Sequence, residues 1–126
     1  MKKLILATMA LMLLVGCGAK SDGTASYRQI SQKEAKDMID SQDVIVLDVR
    51  EQHEYDAGHI PGAILLPLGS ITKDTAEVVI PSLDSVVLVY CRSGNRSKIA
   101  SAALVELGHI NVYEFGGINT WPYEVE

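Results

Sequence analysis

Apolar and polar positions along this chain fall into alternating blocks of two lengths. The short blocks are Val44-Ile45-Val46-Leu47, Ala63 to Leu66, Val86 to Tyr90 and Asn111 to Phe115. The first and third are continuous and rich in β-branched residues, which predicts strands buried on both faces, as in a parallel sheet. The longer blocks carry helical signals. Ser31-Gln32-Lys33-Glu34 is a capping-box pattern and predicts a helix to about Ser41, with Ala35, Met38 and Ile39 inward. Glu51 to Ala57 predicts a short helix stopped by Gly58. Ile60-Pro61-Gly62 is a turn, and Pro67 closes the strand after it. Asp74 to Ile80 predicts a helix stopped by Pro81. Ser97 to Leu107 has helical periodicity through Ile99, Ala103, Leu104 and Leu107, with Gly108 as its stop. Gly116-Gly117 turns the chain, and Ile118 to Trp121 predicts one helical turn before Pro122. Strands alternating with helices place the chain in the α/β class, with a central, largely parallel sheet flanked by helices.

The N-terminal residues follow another pattern. Met1-Lys2-Lys3 is basic, Leu4 to Val15 is continuously apolar, and Leu14-Val15-Gly16-Cys17 closes the run. A positive end, a short apolar stretch and small residues at the break predict a secretory signal. The run falls short of the roughly 20 apolar residues that a membrane span needs. It resembles a bacterial lipoprotein signal, which implies cleavage after Gly16 and acyl chains on Cys17. An uncleaved N-terminal anchor, or a signal cut elsewhere, is the competing reading. On the lipoprotein reading residues 1–16 are the signal, residues 17–26 the lipidated end and a small, polar tether, and residues 27–126 the domain. The protein is then exported and lipid-anchored to a bacterial membrane, on its periplasmic or cell-surface side. Removing 16 of the 126 residues leaves 110, enough for one modest core. The net charge of −5 includes the two signal lysines, so the mature chain is more acidic still. No basic tract points to a nucleic-acid partner.

Charge and export sharpen the question of Cys91. The chain has two cysteines, Cys17 and Cys91. With lipid on Cys17, Cys91 has no intramolecular partner, although exported structural cysteines usually pair. His53, His59 and His109 have no ligand-like spacing with it, which argues against a metal site. A buried apolar thiol and a nucleophile remain. The sequence Cys91-Arg92-Ser93-Gly94-Asn95-Arg96-Ser97 is too polar for an apolar setting. It lies between a predicted strand and a predicted helix, at the strand end where α/β sheets bind ligands. The helix start offers unpaired N–H groups and partial positive charge. Gly94 lets the backbone curl those groups into an anion nest, and Arg92 and Arg96 add full charges. Each effect favours thiolate over thiol.

These residues belong to a wider set of separated blocks. They are Leu47-Asp48-Val49-Arg50-Glu51, Glu54-Tyr55, Gly58-His59-Ile60-Pro61-Gly62-Ala63, the Cys91 to Ser97 loop, and Gly116-Gly117 followed by Trp121. In order and spacing the chain resembles the single-domain rhodanese-like sulfurtransferases, from about Ser26 to Trp121. The resemblance implies a sheet of about five strands and a reaction. Cys91 takes the sulfane sulfur of an anionic donor such as thiosulfate, holds it as a persulfide, and passes it to a thiol or cyanide. A periplasmic or surface protein is another possible acceptor. Arg92, Ser93, Gly94, Asn95, Arg96 and Ser97 are then the substrate-binding loop, and no metal or organic cofactor is needed. The alternative within the same fold is a persulfide carrier or partner-binding module without turnover. Cysteine phosphatases have a similar loop with five residues between cysteine and arginine; Cys91 and Arg96 are separated by four. The tighter ring suits a single sulfur rather than a phosphate.

The remaining polar residues read as support. Asp48 is a carboxylate that fixes its loop through an arginine or backbone N–H groups, and Arg50 and Glu54 are a structural pair in the same sense. His59 fixes backbone groups in its turn. His53 and His109 read as solvated surface residues. Ser93 and Ser97 either bind the persulfide or cap the helix, with Ser97 the stronger N-cap. Asn95 takes a left-handed conformation or points at substrate.

Overall fold

The computed structural model describes residues 26–126; residues 1–16, Cys17 and the rest of the tether before Ser26 lie outside them. Nine elements alternate along the described chain. They are β1 (Arg28–Gln29), α1 (Gln32–Ser41), β2 (Ile45–Asp48), α2 (Gln52–Ala57), β3 (Ile64–Leu65), α3 (Lys73–Val79), β4 (Val86–Cys91), α4 (Asn95–Glu106) and β5 (Asn111–Gly117). Single 3-10 turns at Leu68–Ser70 and Ile118–Thr120 complete it. All five strands are parallel, in the order β1-β5-β4-β2-β3. This is the α/β architecture expected from the alternation of blocks.

Local chemistry accounts for the helix starts. Ser31 Oγ accepts from Glu34 N at 3.0 Å, so α1 begins where the capping pattern placed it. Thr72 caps α3 in the same way, through Thr75 N at 3.1 Å. Strand β4 is the middle of the sheet, and side-chain alternation splits its residues between two layers. Val87, Val89 and Cys91 face a cluster with Leu47, Val49, Ala100, Leu104 and Val112. Leu88 and Tyr90 face the other, with Ala35, Val46, Ile60, Phe115 and Trp121. Five of its six residues are buried, as the apolar run requires.

Three expectations need correction. Strand β1 was missed, because two exposed residues carry no period. Ile99 does not face inward: it is 60% exposed, while Ser97, Ala100, Ser101 and Leu104 form the buried stripe of α4. That stripe packs against β4 and β5 with small side chains, so hydrophobicity alone misplaces it by one position. His109 is not a surface residue. It is 3% exposed, and its backbone N–H donates to Leu104 O at 3.1 Å, folding the chain back after α4. Its Nδ1 has no hydrogen-bond partner among the described residues.

Burial pushes the His109 imidazole below its ordinary value of 6.5, with Glu77 partly opposing. The folded state therefore holds this ring neutral at a pH where the unfolded chain has protonated it. The unfolded state binds more protons there, so stability is full above pH 6.5 and is lost as pH falls through the depressed value. Thermal melts from pH 7.5 to 5 should show Tm falling more steeply for the wild type than for His109→Gln. Parallel curves would exclude this residue as the source.

Candidate active site

The strand β4 ends at Cys91 and α4 begins at Asn95, leaving three residues to reverse the backbone direction. Gly94 makes the turn with φ of 103°, a left-handed conformation that costs a side-chain-bearing residue about 1–2 kcal/mol. This turn aims the Gly94 N–H at the sulfur, with N to Sγ at 3.0 Å. Ser97 Oγ lies 3.4 Å from Sγ. Cys91 itself is only 1% exposed. Burial alone would raise its pKa. Hydrogen bonds from the Ser97 hydroxyl and from the Ser97, Gly94 and Ser93 backbone more than offset that, and the thiol is held below its ordinary value of 9.0. A thiol held below its ordinary value has more of the thiolate form at any given pH.

The loop departs from expectation at several residues. Ser97 is not the N-cap of α4; Gly94 is, and Ser97 is buried in the first turn with its hydroxyl 3.0 Å from Gly94 O. Asn95 is not left-handed, since among the described residues only glycines have positive φ; it opens the helix, exposed. Ser93 and Arg92 are also exposed, and the Arg92 side chain has no ion pair among the described residues. Arg96 is committed elsewhere. Its two terminal nitrogens donate to Glu54 Oε1 and Oε2 at 2.6 and 2.9 Å. The Arg96 hydrogen bond holds the Glu54 carboxyl at about 2, against an ordinary 4.5. Glu54 thus pairs with Arg96, not with Arg50, and ties α2 to the loop.

Arg50 belongs to Asp48. Its Nε lies 3.0 and 3.1 Å from the two Asp48 oxygens, and its Nη2 lies 2.7 Å from Oδ2. The same Nη2 donates to Gly58 O at 2.7 Å. Tyr90 donates to Asp48 Oδ2 at 2.7 Å and accepts from Ile60 N at 3.1 Å. Burial and the Asp48 hydrogen bond push the Tyr90 phenol up, so it stays a donor. Asp48 is thereby saturated as the hub of a buried network. His59 stacks on Tyr55 with ring centroids 3.8 Å apart, and its Nδ1 lies 3.0 Å from Tyr55 O.

The family model for the rhodanese-like domain matches residues 31–123. The chain belongs to the rhodanese-like domain family. A thiosulfate sulfurtransferase GlpE of Coxiella burnetii is 34% identical over 96 residues, covering 75% of this chain and 87% of that protein. A putative sulfur carrier protein YrkF of Bacillus subtilis is 33% identical over 110 residues, covering 84% of this chain and 57% of that one. Among solved structures, a rhodanese-related protein from Thermoplasma volcanium superposes with a TM-score of 0.68 at 32% identity, covering 79% of this chain and 98% of that chain.

Of two further residues at this rhodanese-like site, one escaped sequence reasoning and the other was named without its reason. Glu114, on β5, is a 3%-exposed carboxylate; its Oε2 accepts from Ser97 Oγ at 2.9 Å and from Gly116 N at 2.7 Å. A lone acid in a strand gives no sequence signal. Gly117 did lie in a conspicuous doublet, but its reason is visible only in space. The end of β5 crosses directly behind the cysteine loop, and Cys91 pairs with Gly117 across a register shift.

A Cβ on Gly117 would sit 2.0 Å from Arg92 O and 2.5 Å from Ser93 N. Gly117→Ala must therefore displace the loop, at a stability cost of about 1–3 kcal/mol. Thermal melts should show that loss, and the alkylation midpoint of Cys91 should move up toward that of a free cysteine as Gly94 N–H leaves the sulfur. A variant with wild-type melting and midpoint would exclude the contact.

Proposed function

We propose that this protein moves sulfane sulfur from an anionic donor such as thiosulfate to a nucleophilic acceptor through a Cys91 persulfide. The observation that carries the reading is the buried Sγ with Gly94 N–H aimed at it from 3.0 Å. Family membership and the sulfurtransferase relative support sulfur transfer in general. Cys91 thiolate attacks the outer sulfur of thiosulfate. A Cys91–sulfur bond forms, the donor's sulfur–sulfur bond breaks, and sulfite leaves with the bonding pair. The persulfide anion inherits the loop N–H groups, which meet its charge without reorganising. An acceptor thiolate or cyanide then attacks the outer sulfur and restores Cys91 thiolate. The result is double displacement with ping-pong kinetics.

The burial of Cys91 shapes how a donor arrives. Its terminal sulfur enters the loop end-on, while its oxygens stay outside. Arg92 is the exposed loop cation available to attract them, because Arg96 is held by Glu54. The similarity to a putative sulfur carrier favours a second reading, in which the persulfide is kept for a protein partner.

Incubation with thiosulfate should add the mass of about one sulfur atom, and Cys91→Ser should add nothing. Removal of that sulfur by cyanide supports turnover. Removal only by a protein acceptor supports carriage. Absence of any gain in the wild type rules out both and leaves a binding module.

We also propose that residues 1–16 are cleaved and that Cys17 carries lipid at a bacterial membrane. Leu14-Val15-Gly16-Cys17 supports this, and several acyl chains anchor more firmly than one. In cells, Cys17→Ser should move the protein from the membrane pellet to the soluble fraction or block its maturation. An unchanged, fully processed membrane form would overturn the lipid anchor.

A further inference from the structure

Ser97 has one hydroxyl hydrogen and more acceptors than it can serve. Its Oγ lies 3.4 Å from Cys91 Sγ, 3.0 Å from Gly94 O and 2.9 Å from Glu114 Oε2. The acceptors are unequal. A hydrogen bond to an ionised carboxylate is roughly twice as strong as one to a neutral group. Glu114 is held in place by Gly116 N–H at 2.7 Å, and Gln29 Nε2 lies 3.5 Å from its other oxygen. No cation pairs with it among the described residues. Lys98 lines the cleft that reaches Glu114, together with Gln29, Gln32 and Asn119. From β4 the facing titratable group is Cys91, and from α4 it is Lys98.

We infer that Glu114 governs the nucleophile from behind, by claiming the Ser97 hydroxyl proton that the Cys91 sulfur would otherwise receive. While the carboxylate holds that proton, the Ser97 oxygen turns a lone pair toward Cys91. That arrangement accepts from S–H and weakens what the hydroxyl gives a thiolate, leaving more of the thiolate's stability to the loop N–H groups. Glu114 is thus a positioning residue that moderates the reactivity of the thiol. The inference rests on Cys91 being the nucleophile of sulfur transfer, and its readout differs from the thiosulfate mass gain that tests that reading.

The experiment is the pH profile of Cys91 alkylation by iodoacetamide in wild type, Glu114→Gln, Ser97→Ala and the double variant. The glutamine keeps an acceptor for Gly116 N–H but lacks the charge, so the Ser97 proton is freed toward the sulfur. Glu114→Gln should shift the midpoint to lower pH and raise the rate below it roughly threefold or more, in line with the strength lost at the competing acceptor. On the Ser97→Ala background the same change should have less than half that effect, because the hydroxyl that transmits it is gone. An unshifted midpoint, or an equal shift without Ser97, overturns the inference. Acceleration at every pH with a fixed midpoint means only a loosened loop, and overturns it too. If Glu114→Gln does not fold, Glu114→Asp withdraws the oxygen from Ser97 while keeping the charge, and should shift the midpoint in the same direction; no shift overturns the inference. A wild type that alkylates on this profile yet takes no sulfur from thiosulfate would instead sink the sulfur-transfer reading alone.

Discussion

A sulfur atom taken out of water loses the solvation that stabilises its charge, and this site depends on what replaces it. Cys91 is buried to 1% exposure, and burial by itself favours the neutral thiol. The replacement is hydrogen bonding from the Ser97 hydroxyl and from the Ser97, Gly94 and Ser93 backbone, with the Gly94 N–H aimed at the sulfur by a turn that glycine adopts without strain. Peptide dipoles fixed by the fold need no counter-ion close by, and on the proposed reaction no rearrangement when charge moves onto an outer sulfur. The rest of the site is therefore best understood as machinery that keeps three loop residues where they are.

That machinery comes from every side of the loop. Behind it, β5 approaches so closely that Gly117 has no room for a methyl group. At its far end, Glu54 takes the fork of Arg96 and joins α2 to α4. Beneath the neighbouring strand end, Asp48 gathers Arg50 and Tyr90, and Tyr90 in turn receives the Ile60 N–H. Arg96, a substrate ligand on the sequence reading, is thus occupied with Glu54, while Asp48 and Arg50 serve as support. Arg92 stays apart from these pairings, which divides the two loop arginines into a structural one and a free one.

Four of the five strands and all four helices were legible because their signals are local: β-branched runs for β2 and β4, a capping-box pattern for α1, Gly108 after α4. The cysteine loop was legible too, since its polarity contradicts the apolar strand it follows. What could not be read depends on partners distant in sequence. Glu54 and Arg96 are 42 residues apart, and Ser97 and Glu114 are 17 apart. The stripe of α4 was misplaced for a related reason: a helix lying close on a sheet buries Ser97, Ala100 and Ser101, which a hydrophobicity count treats as indifferent. His109 was lost to the same blindness, for its burial follows from how the chain doubles back after α4.

Cys91 is also the last residue of the central strand, with β2 on one side and β5 on the other. Central strands belong to the units of a fold that open last, often only with the whole domain. The proposed nucleophile is therefore joined to backbone of the kind that opens last, while Arg92 and Ser93 lie exposed on the same turn. Reactivity here should persist up to the edge of cooperative melting and then vanish with it.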